Sequence, residues 1–97
     1  MNMIEWIQNW YNSNCDGYWE HMYRVKIETV DNPGWSIYID LTDTYLEEKE
    51  FNTVQYDRSD DDWIICRKEE DVFKGAGGPG KLNEILCVFK SWVEKEN

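Results

Sequence analysis

Apolar residues at Met3, Ile4, Ile7, Trp10 and Tyr11 recur at the three- and four-residue spacing of an amphipathic helix. The turn formers Asn12, Ser13, Asn14, Asp16 and Gly17 should end that helix. From Tyr23 the period changes to two. Tyr23, Val25 and Ile27 alternate with Arg24, Lys26 and Glu28, which predicts a strand with one wet face. Asp31-Asn32-Pro33-Gly34 is a turn, since Pro presets φ at the second position and Gly accepts a positive φ after it. The returning strand reads Trp35, Ile37, Ile39 and Leu41 inward, with Ser36, Tyr38, Asp40 and Thr42 outward. Residues 43–50 form an acidic connection, and Phe51 to Asp57 and Trp63 to Lys68 read as two further strands. A short fifth strand is predicted over Val72 to Lys74. The run Gly75-Ala76-Gly77-Gly78-Pro79-Gly80 then breaks the chain before a C-terminal helix marked by Leu82, Ile85, Leu86, Phe89 and Val93. This order gives one α+β domain over residues 1–97, two layers thick, in which a four- to five-stranded antiparallel sheet carries an N-terminal and a C-terminal helix on one face.

Composition adds the charge. Ten Lys and Arg stand against twenty Asp and Glu, for a net charge of −10. Residues 40–71 hold twelve of the acids and four of the bases, so −8 of the total lies in the central third. Such a field repels nucleic acid and anionic membrane and draws in a basic protein surface. The stretch is rich in aromatic and β-branched residues, which argues for a folded acidic face rather than a disordered tail. No apolar run of about 18 residues offers a membrane span. The first residues lack the basic and apolar regions of a signal peptide, so the chain is expected in the cytoplasm. Cys15, Cys66 and Cys87 are odd in number and without CxxC spacing, as suits reduced thiols used as small hydrophobes.

Three clusters carry candidate chemistry. Gly75 to Lys81 satisfies the spacing of a phosphate-binding loop, but Leu82 stands where Ser or Thr would hold Mg²⁺ and Pro79 lacks an amide donor. The loop therefore reads as a flexible turn. Cys15, Asp16, Trp19, Glu20 and the single histidine, His21, could suggest a thiol nucleophile or a metal site. One Cys and one His are too few for structural zinc, and a single loop gives poor support for catalysis. Trp19 is expected to anchor the loop while Asp16 caps a turn and Glu20 or His21 bonds locally. The third cluster is the acidic surface: Asp57, Asp60, Asp61 and Asp62 before Trp63, and Glu69 and Glu70 beyond, with Tyr38, Tyr45 and Tyr56 expected on the same face. Its acids lack the alternating spacing of a Ca²⁺ loop. No metal, cofactor or catalytic residue is therefore expected.

The segments Trp10-Tyr11, Asn14-Cys15-Asp16-Gly17, Trp19-Glu20-His21, Asp31-Asn32-Pro33-Gly34-Trp35, Asp40-Leu41, Asp61-Asp62-Trp63 and Gly75-Ala76-Gly77-Gly78-Pro79 resemble, in that order, the immunity protein 53 family of bacterial polymorphic toxin systems. The resemblance runs from Trp6 to Trp92. It implies a small cytosolic protein encoded beside a toxin, which it binds and blocks; a nuclease is one toxin such a charge would suit. On that reading Asp57, Asp60, Asp61, Asp62, Glu69 and Glu70 supply electrostatics, Tyr56 and Trp63 serve as anchors, and the loop of Asp16, Trp19, Glu20 and His21 is a second contact with the toxin. An acidic, DNA-mimicking regulator of a host enzyme is the alternative, followed by a small enzyme built on the Cys15/His21 loop.

Overall fold

The computed structural model describes residues 2–96. Helix α1 spans Met3–Asn14. Its cap, Asn2, accepts from the Glu5 amide at 2.8 Å through Oδ1 and donates to the Glu5 carboxylate through Nδ2. A four-residue helix, α2 (Trp19–Met22), follows where a loop was expected. Strands β1 (Val25–Val30), β2 (Gly34–Asp40), β3 (Val54–Asp57), β4 (Trp63–Glu69) and β5 (Val72–Gly77) then form one antiparallel sheet, and helix α3 (Leu82–Glu96) closes the chain. The sheet order is β1-β2-β5-β4-β3, so the last strand inserts between two hairpins.

One face of the sheet is apolar. Ile37, Ile39, Phe73, Ile64 and Cys66 project from its three central strands and are at most 1 % exposed. Against them pack Ile85, Leu86, Phe89, Trp92 and Val93 of α3 and Ile7 and Trp10 of α1. Aromatic rings hold this core in edge-to-face and tilted contacts, with Phe89 5.0 Å from both Trp10 and Phe73 and Phe51 5.0 Å from Trp92. The α+β class, the five antiparallel strands and the terminal helices agree with the sequence pattern.

The glycine run is where structure and sequence pattern part. Gly75, Ala76 and Gly77 do not break the chain; they complete β5, the central strand, pairing with β2 on one side and β4 on the other. The two glycines lack side chains on the face that α3 covers, whereas the Ala76 methyl points to the open face. A Cβ on Gly75 would stand 2.4 Å from Ile85 Cγ2, and one on Gly34 would stand 2.3 Å from the Gly77 carbonyl oxygen. The segment 50–53 departs in the opposite sense. The predicted strand from Phe51 starts only at Val54, because Phe51 turns into the aromatic core and the Glu50 carbonyl accepts from Trp92 Nε1 at 2.9 Å.

Gly75→Ala forces Ile85 or the whole of α3 to shift and is expected to cost about 1–3 kcal/mol, read as a lower urea midpoint. Gly80→Ala meets nothing within 4 Å and should stay within about 0.5 kcal/mol of wild type in the same titration. Trp19 is 2 % exposed, so Trp19→Ala should cost about 3–5 kcal/mol, whereas exposed His21→Ala should leave the midpoint unmoved.

Candidate functional site

The acids that are continuous in sequence are divided in space. Because Asp62 precedes the seven-residue strand β4 and Glu69 ends it, the two stand at opposite ends of the sheet, roughly 20 Å apart. At one end, the loop between β3 and β4 carries Asp57, Asp60 and Asp61, all exposed. The loop is closed by the Arg58 amide donating to the Asp62 carbonyl at 2.9 Å, and its Asp61 backbone rests on Gly78, where a Cβ would come within 2.2 Å. Asp62 faces inward: its Oδ1 accepts from Lys81 Nζ at 2.7 Å and lies 3.5 Å from Arg58. The Lys81 hydrogen bond holds the Asp62 carboxyl below its ordinary range and raises the lysine in turn. The lysine that completes the phosphate-loop spacing is therefore already paired.

The predicted anchors divide as well. Tyr56 lies on the helix side, opposite Ile64, with its hydroxyl donating to Glu84 at 2.6 Å and the Arg58 guanidinium 3.8 Å above its ring. Trp63, next to buried Ile64, projects half-exposed from the other sheet face. Tyr38 shares that open face, whereas Tyr45 sits in the connection after β2, 45 % exposed. The three tyrosines expected on one acidic face are thus on three different surfaces.

The other end of the sheet is the larger negative pole. The antiparallel register places the end of β2, the start of β5, the end of β4 and the 41–53 connection there together, and with them Asp40, Asp43, Glu47, Glu48, Glu50, Glu69, Glu70 and Asp71. Of these Glu69 is engaged, by Lys74 at 2.7 Å and Arg67 at 3.4 Å. Glu70 is exposed in the tight turn between β4 and β5, at φ 56°. The connection is held by Leu46, fully buried, and by Lys68, whose Nζ donates to the carbonyls of Glu47 at 2.6 Å and Lys49 at 2.7 Å. Lys68 follows Ile64 and Cys66 on the core face of β4. A charge at a core-facing position was the signal in the sequence that a fixed set of carbonyls awaited it.

The loop of Asp16 to His21 joins this pole. Asp16 Oδ1 accepts from the amides of Tyr18 and Trp19, both at 2.9 Å, and Glu20 accepts from those of Asp16 and Gly17. Trp19 is core, its indole N–H bonded to the Thr42 carbonyl at 2.9 Å, which ties the loop to the acidic connection. As a buried ring it offers no contact surface, contrary to its place in the expected binding loop. Beside it Tyr18 is 58 % and Met22 54 % exposed. Burial and the surrounding charges of Asp43, Glu47 and Asp40, with Tyr18 adjacent, push the Tyr23 hydroxyl above its usual range. Tyr23 therefore lies among carboxylates with Tyr18 beside it, a grouping not legible in the sequence because residues 18–23 and 40–47 meet only in the fold.

Cys15, Cys66 and Cys87 are free thiols, and burial pushes Cys66 up to about 12. Among the described residues no three His, Cys, Asp or Glu side chains are grouped to hold a metal ion, and no helix is long and apolar enough to cross a membrane.

The depressed carboxylates set an acid limit on stability. Asp16 is lowered by the Trp19 and Tyr18 amides, Glu69 by Lys74, and Asp62 by Lys81. Above their ordinary values of 3.8 for Asp and 4.5 for Glu, folded and unfolded chains are both charged and the contribution is complete. Below those values the unfolded chain takes up protons first, and the contribution is gone once pH passes the lower folded values. Urea midpoints should hold from pH 7 to about 5 and fall towards pH 3, less steeply in Asp62→Asn/Glu69→Gln than in wild type.

No curated protein and no solved structure matches the chain significantly. The family model described as Immunity protein 53 matches residues 4–94, which takes in every strand of the sheet, all of α2 and nearly all of α1 and α3. The match agrees with the ordered segments from Trp10-Tyr11 to Gly75-Ala76-Gly77-Gly78-Pro79. The chain belongs to the immunity protein 53 family, non-enzymatic proteins that neutralise a cognate toxin.

Proposed function

We propose that this chain blocks its toxin by covering a basic, substrate-binding surface with the acidic end of its sheet. One observation carries the reading: Asp40, Asp43 and Glu47 gather around Tyr23, beside exposed Tyr18 and Met22. Carboxylates at that pole steer a cationic surface into contact and take the positions that substrate phosphates would occupy on the toxin. The adjacent tyrosines and methionine supply desolvated area that slows release. Toxin cations arranged for phosphate make a nuclease the class this surface suits. Asp57, Asp60 and Asp61 form a second, smaller acidic contact at the far end of the sheet, while Asp62 acts by fixing their loop. Asp16 and Glu20 contribute by shaping the loop that presents Tyr18 and His21.

The tagged chain should retain a basic toxin domain from its own bacterium, more strongly at low salt. Retention of a host enzyme in its place would favour the DNA-mimic reading. With that toxin domain, Glu48→Lys/Asp71→Lys should slow association about tenfold at low salt and much less at high salt, with a smaller effect from Asp60→Lys/Asp61→Lys. Tyr18→Ala should speed dissociation while leaving association alone. Unchanged rates in Glu48→Lys/Asp71→Lys and in Tyr18→Ala would refute binding at this pole.

A further inference from the structure

We infer that the toxin adds a strand to this sheet: an extended, basic segment of it lies in the groove between α3 and β3 and pairs with the open edge of β3. This rests on the toxin-binding reading above and extends it to a second contact, with a defined geometry and segment chemistry.

Among the described residues β3 pairs with β4 alone, so the outer edge of Val54–Asp57 has no described strand against it. Sheet edges of soluble domains are normally blunted by charge, by proline or by a covering element. Here the edge carries Val54, 38 % exposed, and it borders a concavity rather than a cover. Glu84, Cys87, Val88, Ser91, Trp92 and Lys95 recur at three- and four-residue steps, so they form one stripe along α3. That stripe is one wall of a groove of about 420 Å³, and residues 50–54 are the other. The stripe is about 16 Å long, which matches about five residues of extended chain. Phe51, Val88 and Trp92 give the groove an apolar lining, suited to the alternate side chains that a sixth strand would turn towards the helix layer.

Charge selects the occupant. Glu50 lies at one end of the groove and Glu84 towards the other, with Asp57 closing the strand edge and Lys95 the one cation of the lining. Pairing of β3 with β3 of a second copy would bring together two chains of net charge −10. A segment whose groove-facing side chains are apolar at its centre and Lys or Arg at its ends meets both the lining and the carboxylates. The groove also runs from Glu50, at the larger acidic pole, towards the Asp57–Asp61 loop, so one bound segment would join the two acidic ends that the strands hold apart.

The test uses the full chain and the toxin domain that it captures. Hydrogen exchange of the amides of Val54–Asp57 should slow in the complex, and alkylation of half-buried Cys87 by iodoacetamide should slow at least tenfold, with buried Cys66 as background. Ser91→Trp, at an exposed helix position, should fill the groove and weaken toxin binding at least tenfold with an unchanged urea midpoint. A complex in which exchange at 54–57, Cys87 labelling and the Ser91→Trp affinity are all as in the free or wild-type protein overturns the added strand and leaves toxin binding at the pole intact. Slowed labelling of Cys87 without slowed exchange at 54–57 also overturns it. A homodimer that Ser91→Trp dissolves assigns the groove to a second copy, against the inference. Failure to bind any toxin overturns this inference and the proposed function together.

Discussion

The close seating of α3 on β5 is the constraint on which the rest of the molecule depends. Ile85 occupies the space where side chains at positions 75 and 77 would stand, and Gly34 lets β2 pass the Gly77 carbonyl. With the helix this near, Phe89 and Trp92 reach Phe73, and α1 closes over them through Trp10. The same absence of side chains continues to Gly78, on which the Asp61 backbone rests, so the glycine stretch positions the acidic loop as well as the core. A strand of low intrinsic preference is held at the centre of the sheet because both neighbours pair with it and a helix covers it.

Tryptophan ties the loops to this frame. The indole N–H of Trp19 donates to Thr42, that of Trp35 to Pro79 and that of Trp92 to Glu50, each at 2.9 Å and each to a carbonyl distant in sequence. Buried indoles are most stable with an acceptor, and loops carry carbonyls that strands do not satisfy. The core rings of Trp19 and Trp92 and the half-exposed ring of Trp35 thereby fix the connection that carries most of the acids, the wall of the groove beside β3 and the turn into α3. These bonds tie the acidic connection to the core, although among the described residues most of its carboxylates have no partner cation.

The hairpin of β1 and β2, both terminal helices and the two-layer class were legible in the sequence, because each rests on a local rule, period two or period 3.6. The turn of that hairpin was legible in place but not in kind: Asp31, Asn32 and Pro33 make it, while Gly34, expected to accept a positive φ, already pairs with Val30 as the first residue of β2. The turn at Asp16 was legible too, with Trp19 as anchor, since Asp, Gly and a large aromatic in sequence leave few alternatives. Family membership was legible in the ordered segments. The candidate surface was legible only in part. Counting charges located the acid along the chain, and alternation located neither Tyr56 nor Tyr45 relative to it.

Sequence by itself determined the inventory: the elements, their order, a net charge of −10, and apolar faces enough for one core. Only the tertiary structure decided adjacency. An antiparallel strand separates sequence neighbours by its own length, so the acids before and after β4 became two poles. Insertion of β5 between the hairpins brought Asp40 and Asp71 to one end, with the Leu41 amide bonded to the Asp71 carbonyl at 2.8 Å. The first half of the glycine run, Gly75 to Gly77, completes the central strand, because α3 packs there against residues without a Cβ, while Gly78, Pro79 and Gly80 keep the turn that local propensity predicts. Local preference is worth less than about 1 kcal/mol per residue, and the pairing and burial that such a position gains together exceed it.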